Sequence, residues 1–102
     1  MALIRTGGGS SAITNITSKG QTNDNNQDTS VSGLNVGDYF ILTAYKGSDF
    51  GDSMLSSMTG LTSISYSKYN DGTSNTYSQI FRIDSASVTF RTKSVFNMAV
   101  MN

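Results

Sequence analysis

The apolar run at residues 39–42, Tyr-Phe-Ile-Leu, places the tightest limit on the fold. The segment 39–45 is entered through Gly37 and Asp38 and left through Lys46 and Gly47. Aromatic and β-branched residues between turn residues, over about eight positions, are typical of a buried strand and too short for an ordinary helix. Because residues on both faces of this strand are apolar, we expect both faces to be covered, which favours a sandwich over an open sheet.

The second half of the chain repeats the strand pattern. Polar and apolar residues alternate there in four segments: residues 61–68, 76–83, 86–92 and 95–101. In the first segment this alternation places Ile64 and Tyr66 on one face, and in the second it places Tyr77, Phe81 and Ile83 in phase. Residues 69–75 contain Asn-Asp-Gly, which suits the positive φ angles of a hairpin loop.

The first half has weaker signals. Residues 11–19 are rich in threonine and isoleucine and predict a peripheral strand, whereas residues 20–30 have no apolar residue and predict a mobile loop. Met54, Leu55 and Met58 follow the spacing i, i+1 and i+4. This spacing allows one helical turn over residues 53–58, and an irregular crossover that covers one open end of the sandwich fits equally well.

Residues 1–10 are predicted to form a flexible N-terminal arm, and residues 11–102 a single domain. Leu3, Ile4 and Arg5 precede three consecutive glycines, whose ordering would carry a high entropic cost. Because burying two apolar side chains scarcely offsets that cost within one small domain, we expect the arm to make contacts between chains.

Composition argues against several classes of function. Seven basic and seven acidic residues give a net charge of zero, so we expect no nucleic-acid partner and no attraction to an anionic membrane. No run of residues is long and apolar enough to insert into a membrane. The chain has no cysteine and no histidine, which removes thiolate chemistry, the Ser-His-Asp triad and the commonest metal ligands. We therefore expect a protein that is not an enzyme and that uses no cofactor.

Two short motifs match known chemistry in spacing alone. Ser65 and Lys68 have the S-x-x-K spacing of penicillin-binding enzymes, but they lie in an alternating strand and their companion motifs are missing. Asp24 and Asp28 occupy calcium-loop positions 1 and 5, but the glycine and the bidentate glutamate that complete such a loop are absent. A plain strand and a solvated polar loop are the simpler interpretations.

Aromatic and amide side chains cluster around the predicted hairpin loop. A ligand site at this end of the domain would be formed by Tyr66, Tyr69, Asn70, Asp71 and Asn75. Aromatic rings beside a polar loop can stack on a sugar, and the loop could recognise a glycan or a cell-surface receptor. Core packing explains Tyr66 and Tyr77 equally well.

Three features together resemble small virion proteins of tailed bacteriophages. They are the opening Met-Ala-Leu-Ile-Arg-Thr-Gly-Gly-Gly, the Gly-Leu-Asn-Val-Gly-Asp-Tyr entry into the central strand at residues 33–39, and a strand that reaches the last residues. The resemblance implies a structural protein located in the virion: a head decoration, a fibre or a tail component. Its partners would be other virion proteins and copies of itself.

The sequence thus predicts an all-β protein, a compact antiparallel β-sandwich of the jelly-roll kind with an extended N-terminal arm. Its expected function is non-enzymatic assembly within a phage particle. The alternative is a β-sandwich module that binds a host-surface glycan or receptor through the loop end at residues 69–75. Self-association would favour the first function, and a monomer with an exposed aromatic shelf would favour the second.

Overall fold

Strands make up all the regular structure in the part of the chain that the computed structural model describes, residues 15–24, 27–47 and 49–102. The eight strands are β1 (Ile16–Gln21), β2 (Asp28–Val31), β3 (Tyr39–Lys46), β4 (Leu55–Thr59), β5 (Leu61–Asn70), β6 (Asn75–Ile83), β7 (Val88–Thr92) and β8 (Asn97–Met101). The predicted arm, residues 1–10, lies outside the described residues.

The strands form two antiparallel sheets. The larger has the order β1-β8-β3-β6-β5, and the smaller has the order β2-β7-β4. Pairing is nested, since β1 pairs with β8, β2 with β7 and β3 with β6. A jelly roll would show this nesting, but β5 pairs with β6 in the larger sheet instead of with β4. The structure confirms the all-β sandwich, and the jelly-roll class stays a prediction.

The strand β3 lies at the centre of the larger sheet and supplies the middle of the core. Phe40 and Leu42 are fully buried, and the Phe40 ring meets the Phe90 ring of β7 edge-on at 5.4 Å. The prediction that both faces of β3 are covered is wrong. Tyr39 and Ile41 are only half-buried, because the smaller sheet packs against one face of the larger sheet and leaves the other open.

The strands predicted in the second half are confirmed, with one error of phase. Tyr77, Phe81 and Ile83 all point into the core. In β5, however, Ile64 is exposed while Tyr66 packs against the core, so they do not share a face. A β-bulge between Ser63 and Ser65 inserts one residue into β5 and reverses the alternation beyond it.

The predicted helical turn over residues 53–58 is wrong. Residues 55–59 form β4, because pairing with β7 satisfies their backbone groups. The alternative, an irregular crossover over residues 53–58, is wrong for residues 55–58 for the same reason. The chain that covers one end lies before this segment. Phe50 packs against Tyr77 and Phe96, with ring centroids 4.9 and 5.3 Å apart, and so closes one end of the sandwich.

The polar stretch 20–30, predicted as a mobile loop, contains the end of β1 and the start of β2. Its two threonines are buried: Thr22 accepts a hydrogen bond of 2.9 Å from the backbone nitrogen of Phe96, and Thr29 accepts one of 2.9 Å from that of Asn23. Each hydroxyl satisfies a backbone donor where the chain passes between sheets. Buried hydrogen bonds, which composition does not reveal, therefore hold residues 22 and 29 in place.

Candidate functional site

The hairpin turn between β5 and β6 is held by the carboxylate of Asp71. One oxygen accepts hydrogen bonds from the backbone nitrogens of Ser74, at 2.8 Å, and Thr73, at 3.0 Å. The other accepts one of 3.3 Å from the Tyr45 hydroxyl. The backbone donors of Ser74 and Thr73 do most to lower the pKa of Asp71 from its usual 3.8 to about 2, with help from the Thr73 and Tyr45 hydroxyls. Asp71 is therefore ionised and shapes the turn.

The two asparagines predicted for the ligand loop bond to each other. The side-chain nitrogen of Asn70 donates to the side-chain oxygen of Asn75 over 2.9 Å, and Asn70 also accepts from the Gly72 nitrogen at 2.7 Å. Asn75 is buried. These contacts give both amides a role in the hairpin itself, and of the two only the exposed Asn70 offers surface to a ligand.

The structure separates the two tyrosines predicted to flank this loop. Tyr66 lies on the inner side of β5, stacked on Tyr77 at 6.3 Å, and its hydroxyl donates to the Gly51 carbonyl over 2.9 Å. Burial is the main cause that raises its pKa. Tyr69 lies on the outer side and is 67% exposed. Core packing therefore accounts for Tyr66, and the predicted residues do not form one surface.

Tyr45, which was not among the residues predicted for the ligand site, lies near Tyr69. In the register of the larger sheet, Thr76 of β6 lies directly between Tyr45 of β3 and Tyr69 of β5. Tyr45 is 64% exposed. Two open rings and the Asp71 carboxylate thus stand together at the hairpin end. Only strand register, which the sequence does not state, could have identified this pair.

A larger feature covers the same side of the larger sheet, turned away from the core. We call it the outward face, and its apolar members are Ile16, Tyr39, Ile41, Ile64, Ile80, Ala99 and Met101. Met101 pairs with both Ile16 and Tyr39, and Ile41 pairs with both Ala99 and Ile80. Directly paired residues point to the same side of a sheet. The result is two adjacent rows across the sheet, one apolar on β1, β8 and β3 and the other apolar on β8, β3 and β6.

The bulge in β5 extends the apolar rows. Ser63 points inward, since its hydroxyl oxygen accepts a hydrogen bond of 3.1 Å from the buried Gln79, and Tyr66 points inward as described above. The two residues between them, Ile64 and Ser65, therefore both point outward. Ser65 pairs with Ile80, so Ile64, which is 54% exposed, stands beside the central row.

Charge is nearly absent from the outward face. Among the described strands, Arg82 of β6 is the charged residue in its rows, and its guanidinium lies 2.7 Å from the Asp84 carboxylate. The Thr62 hydroxyl also donates to Asp84. The hydroxyl of Thr62 and then Arg82 lower the pKa of Asp84. The face is thus largely apolar along two rows and polar beyond them, and the Asp71 carboxylate lies at its hairpin end.

The outer side of the smaller sheet is built differently. Asp28 and Arg91 form an ion pair at 3.1 Å, and the hydroxyls of Ser30 and Thr89 lie 3.1 Å apart. This is the polar exterior expected of an antiparallel sheet in water. The contrast between the two exteriors of one small molecule identifies the outward face as the unusual surface.

The motifs with catalytic or metal-binding spacing find no such role in the structure. Lys68 points inward and binds the Asp49 carboxylate at 2.9 Å, on the side of β5 opposite Ser65. Asp28 is paired with Arg91. Within the described ranges, no three acidic, histidine or cysteine side chains are grouped as metal ligands would be.

A small open pocket of about 90 Å³ lies between β1, β8 and the segment 33–38. It is lined by Thr17, Lys19, Leu34, Asp38 and Val100, among others. Ligand sites for small molecules usually enclose about 300–1,000 Å³. This pocket is therefore too small to be the main functional site.

Comparison with known proteins adds no relative. No protein family, no curated protein and no solved structure matches the chain. No helix in the part of the chain that the structure describes is long and apolar enough to cross a membrane. The residues Leu3, Ile4 and Arg5 of the predicted assembly arm lie outside the described residues.

Proposed function

We propose that this chain is a structural protein of a bacteriophage particle, a head decoration, fibre or tail component, and that it acts through protein–protein assembly. The observation that carries the proposal is the outward face. An antiparallel sheet that faces water normally presents polar side chains, and contiguous apolar patches of a few hundred Å² mark interaction surfaces. Because Arg82, the basic residue of its rows, is paired with Asp84, the face favours a protein partner over nucleic acid or an anionic membrane.

The assignment to a phage particle rests on the sequence resemblance in residues 1–9 and 33–39. The composition is compatible with it, because a chain without cysteine or histidine is poorly suited to covalent or acid–base catalysis. The arm at residues 1–10 would add contacts with neighbouring virion proteins. In the chain it comes before β1, an edge strand that carries Ile16 of the outward face.

Localisation tests this function. An antibody against the purified chain is applied to phage particles from the source sample after separation on a density gradient. We expect the protein to co-sediment with filled particles and the antibody to label them at a fixed position, seen by electron microscopy. Recovery of the protein only from the soluble fraction would refute the proposal.

A second function is supported by the tyrosine pair. Tyr45 and Tyr69 are open to solvent beside the ionised Asp71. Rings of this kind stack on sugars, and a carboxylate accepts hydrogen bonds from sugar hydroxyls. In this alternative the chain is a module that binds a host-surface glycan. Glycan-array binding that Tyr69→Ala abolishes, and that Val36→Thr in the turn before β3 leaves intact, would support it.

A further inference from the structure

We infer that the outward face is a self-association surface, on which a second copy of this chain packs face to face about a two-fold axis near Ile41 and Ile80. This inference rests on the proposed function and names the partner of its main surface. Ile41 and Ile80 are directly paired at the middle of the apolar rows. The axis of a two-fold interface brings each residue near it close to its own copy.

Charge selects the kind of partner. Nucleic acid and anionic lipid are recognised by clusters of lysine and arginine, and the outward face offers only Arg82, already paired with Asp84. The residues near the proposed axis, Ile41 and Ile80, are uncharged, so two identical faces can meet there without placing like charges together. A second copy also covers apolar rows with apolar rows, because both copies carry them at the same positions.

Size supports the same partner. The five strands are spaced about 4.8 Å apart and average about eight residues in length, with a rise of roughly 3.3 Å per residue. The face they form therefore measures roughly 600 Å². Two such faces in contact would bury roughly 1,200 Å², which is the lower limit of a stable and specific interface. Sheets packed face to face lie about 10 Å apart, a distance that half-buried isoleucine and tyrosine side chains can fill.

The first test measures solution mass. The full chain is studied by sedimentation equilibrium between about 10 μM and 1 mM, and we expect a reversible monomer–dimer equilibrium. The double variant Ile41→Thr/Ile80→Thr keeps β-branched residues on the strands and should weaken the dimer at least about 10-fold, if each substitution removes about 0.7 kcal/mol or more of contact. The control is Val36→Thr, since Val36 is 67% exposed in the turn before β3 and lies off the outward face.

The second test needs no destabilising change. Because the chain has no cysteine, Ile80→Cys introduces a single thiol near the proposed axis. Mild oxidation should then link two copies rapidly through this position, while Val36→Cys should link slowly. This comparison decides the question even if the double threonine variant fails to fold.

Several results would overturn the inference. They are a monomer at all concentrations, an oligomer larger than a dimer, a dimer that the threonine variant leaves intact, or equal cross-linking at positions 36 and 80. The proposed function can fail separately. A chain found in virions but monomeric in solution refutes only the self-pairing, and a face-dependent dimer absent from virions refutes only the phage role.

Discussion

The side-chain oxygen of Gln79, in the middle of β6, accepts a hydrogen bond of 2.8 Å from the backbone nitrogen of Met54, just before β4. The side-chain nitrogen of Gln79 donates to the hydroxyls of Ser53, at 3.2 Å, and Ser63, at 3.1 Å. A single buried amide therefore joins the larger sheet to the chain that enters the smaller one.

Replacing this amide should weaken the domain. Gln79→Leu keeps the size of the side chain but leaves the Met54 nitrogen buried without its acceptor, which should cost about 1–3 kcal/mol of unfolding free energy. Urea denaturation measures the change. Thr76→Ala, at an exposed position of the same strand, should stay within about 0.5 kcal/mol of the parent protein. Equal effects of the two substitutions would contradict the role given to Gln79.

The two neighbours at the start of β3 should respond unequally to truncation. Phe40 is fully buried, so Phe40→Ala should cost about 3–5 kcal/mol of unfolding free energy by leaving a cavity. Tyr39 is half-buried on the outward face, and Tyr39→Ala should cost clearly less in the monomer. Denaturation at low protein concentration compares them. A larger loss for Tyr39 would reverse the assignment of core and exterior.

Asp71 should make stability depend on pH below about pH 4. Its pKa is about 2 in the folded protein, against a usual 3.8, so in this range the unfolded chain binds more protons than the folded chain. The stability that the carboxylate contributes is complete above the unfolded pKa and is lost as pH falls from 3.8 towards 2.

The stability difference between the parent protein and Asp71→Asn should therefore shrink as pH falls from about 5 to about 2. Thermal melts at several pH values measure it. Asp52→Asn, a substitution at another exposed acid, serves as the control. A difference that stays constant over this range would show that the Asp71 charge does not stabilise the turn.

Gly60 should tolerate a side chain less well than other turn glycines. It lies between β4 and β5, where the chain passes from the smaller sheet to the larger, and its φ is +86°. A Cβ there would lie 3.0 Å from Val88 Cγ1 and 3.1 Å from the Ser87 carbonyl oxygen. Gly51 has a similar φ of +76°, but a Cβ added there would have no other side-chain or backbone atom within 4 Å.

Both alanine variants bear the cost of the left-handed conformation, roughly 1–2 kcal/mol, and Gly60→Ala adds a steric cost to it. We expect Gly60→Ala to lower the melting temperature more than Gly51→Ala does. The reverse order, or no difference, would mean that the crowded contact with Val88 relaxes freely.

Removal of residues 2–10 tests the predicted arm. We expect the melting temperature of the isolated domain to stay nearly unchanged, because two apolar side chains joined through three glycines gain little within one chain. Attachment to the particle should weaken. Unfolding of the truncated protein, or attachment as strong as that of the intact chain, would contradict the prediction.

Sequence alone predicted the strands that a clear local pattern marks, although it wrongly predicted that both faces of β3 are covered. The apolar run 39–42 and the alternation in residues 76–83 identify β3 and β6 directly. β4 was missed because Met54, Leu55 and Met58 have a spacing that suits a helix, and only pairing with β7 decides the matter. A local sequence pattern does not show which distant segment of the chain a strand will pair with.

The candidate surfaces were harder to predict for the same reason. The outward face is assembled from residues on all five strands, and each, like Ile16 or Ile80, looks unremarkable in its own segment. Tyr66 and Tyr69 are three residues apart and therefore lie on opposite faces of β5, which divides the predicted tyrosine cluster. The bulge between Ser63 and Ser65 explains why Tyr66, and not Ile64, points inward. Which apolar residues share a face depends on register, and a shift of one residue exchanges the faces.

The nested order of the strands has a consequence for how quickly the chain folds. β8 lies between β1 and β3, so the larger sheet is complete only when segments from opposite ends of the described chain have met. Bringing distant segments together costs loop-closure entropy before any contact compensates for it. Proteins dominated by such long-range contacts fold in roughly milliseconds to seconds. The β5–β6 hairpin, closed by the Asp71 turn, joins neighbours in the chain and can form first. We therefore expect the slow step of folding to be the pairing of β8 with β1 on one side and β3 on the other.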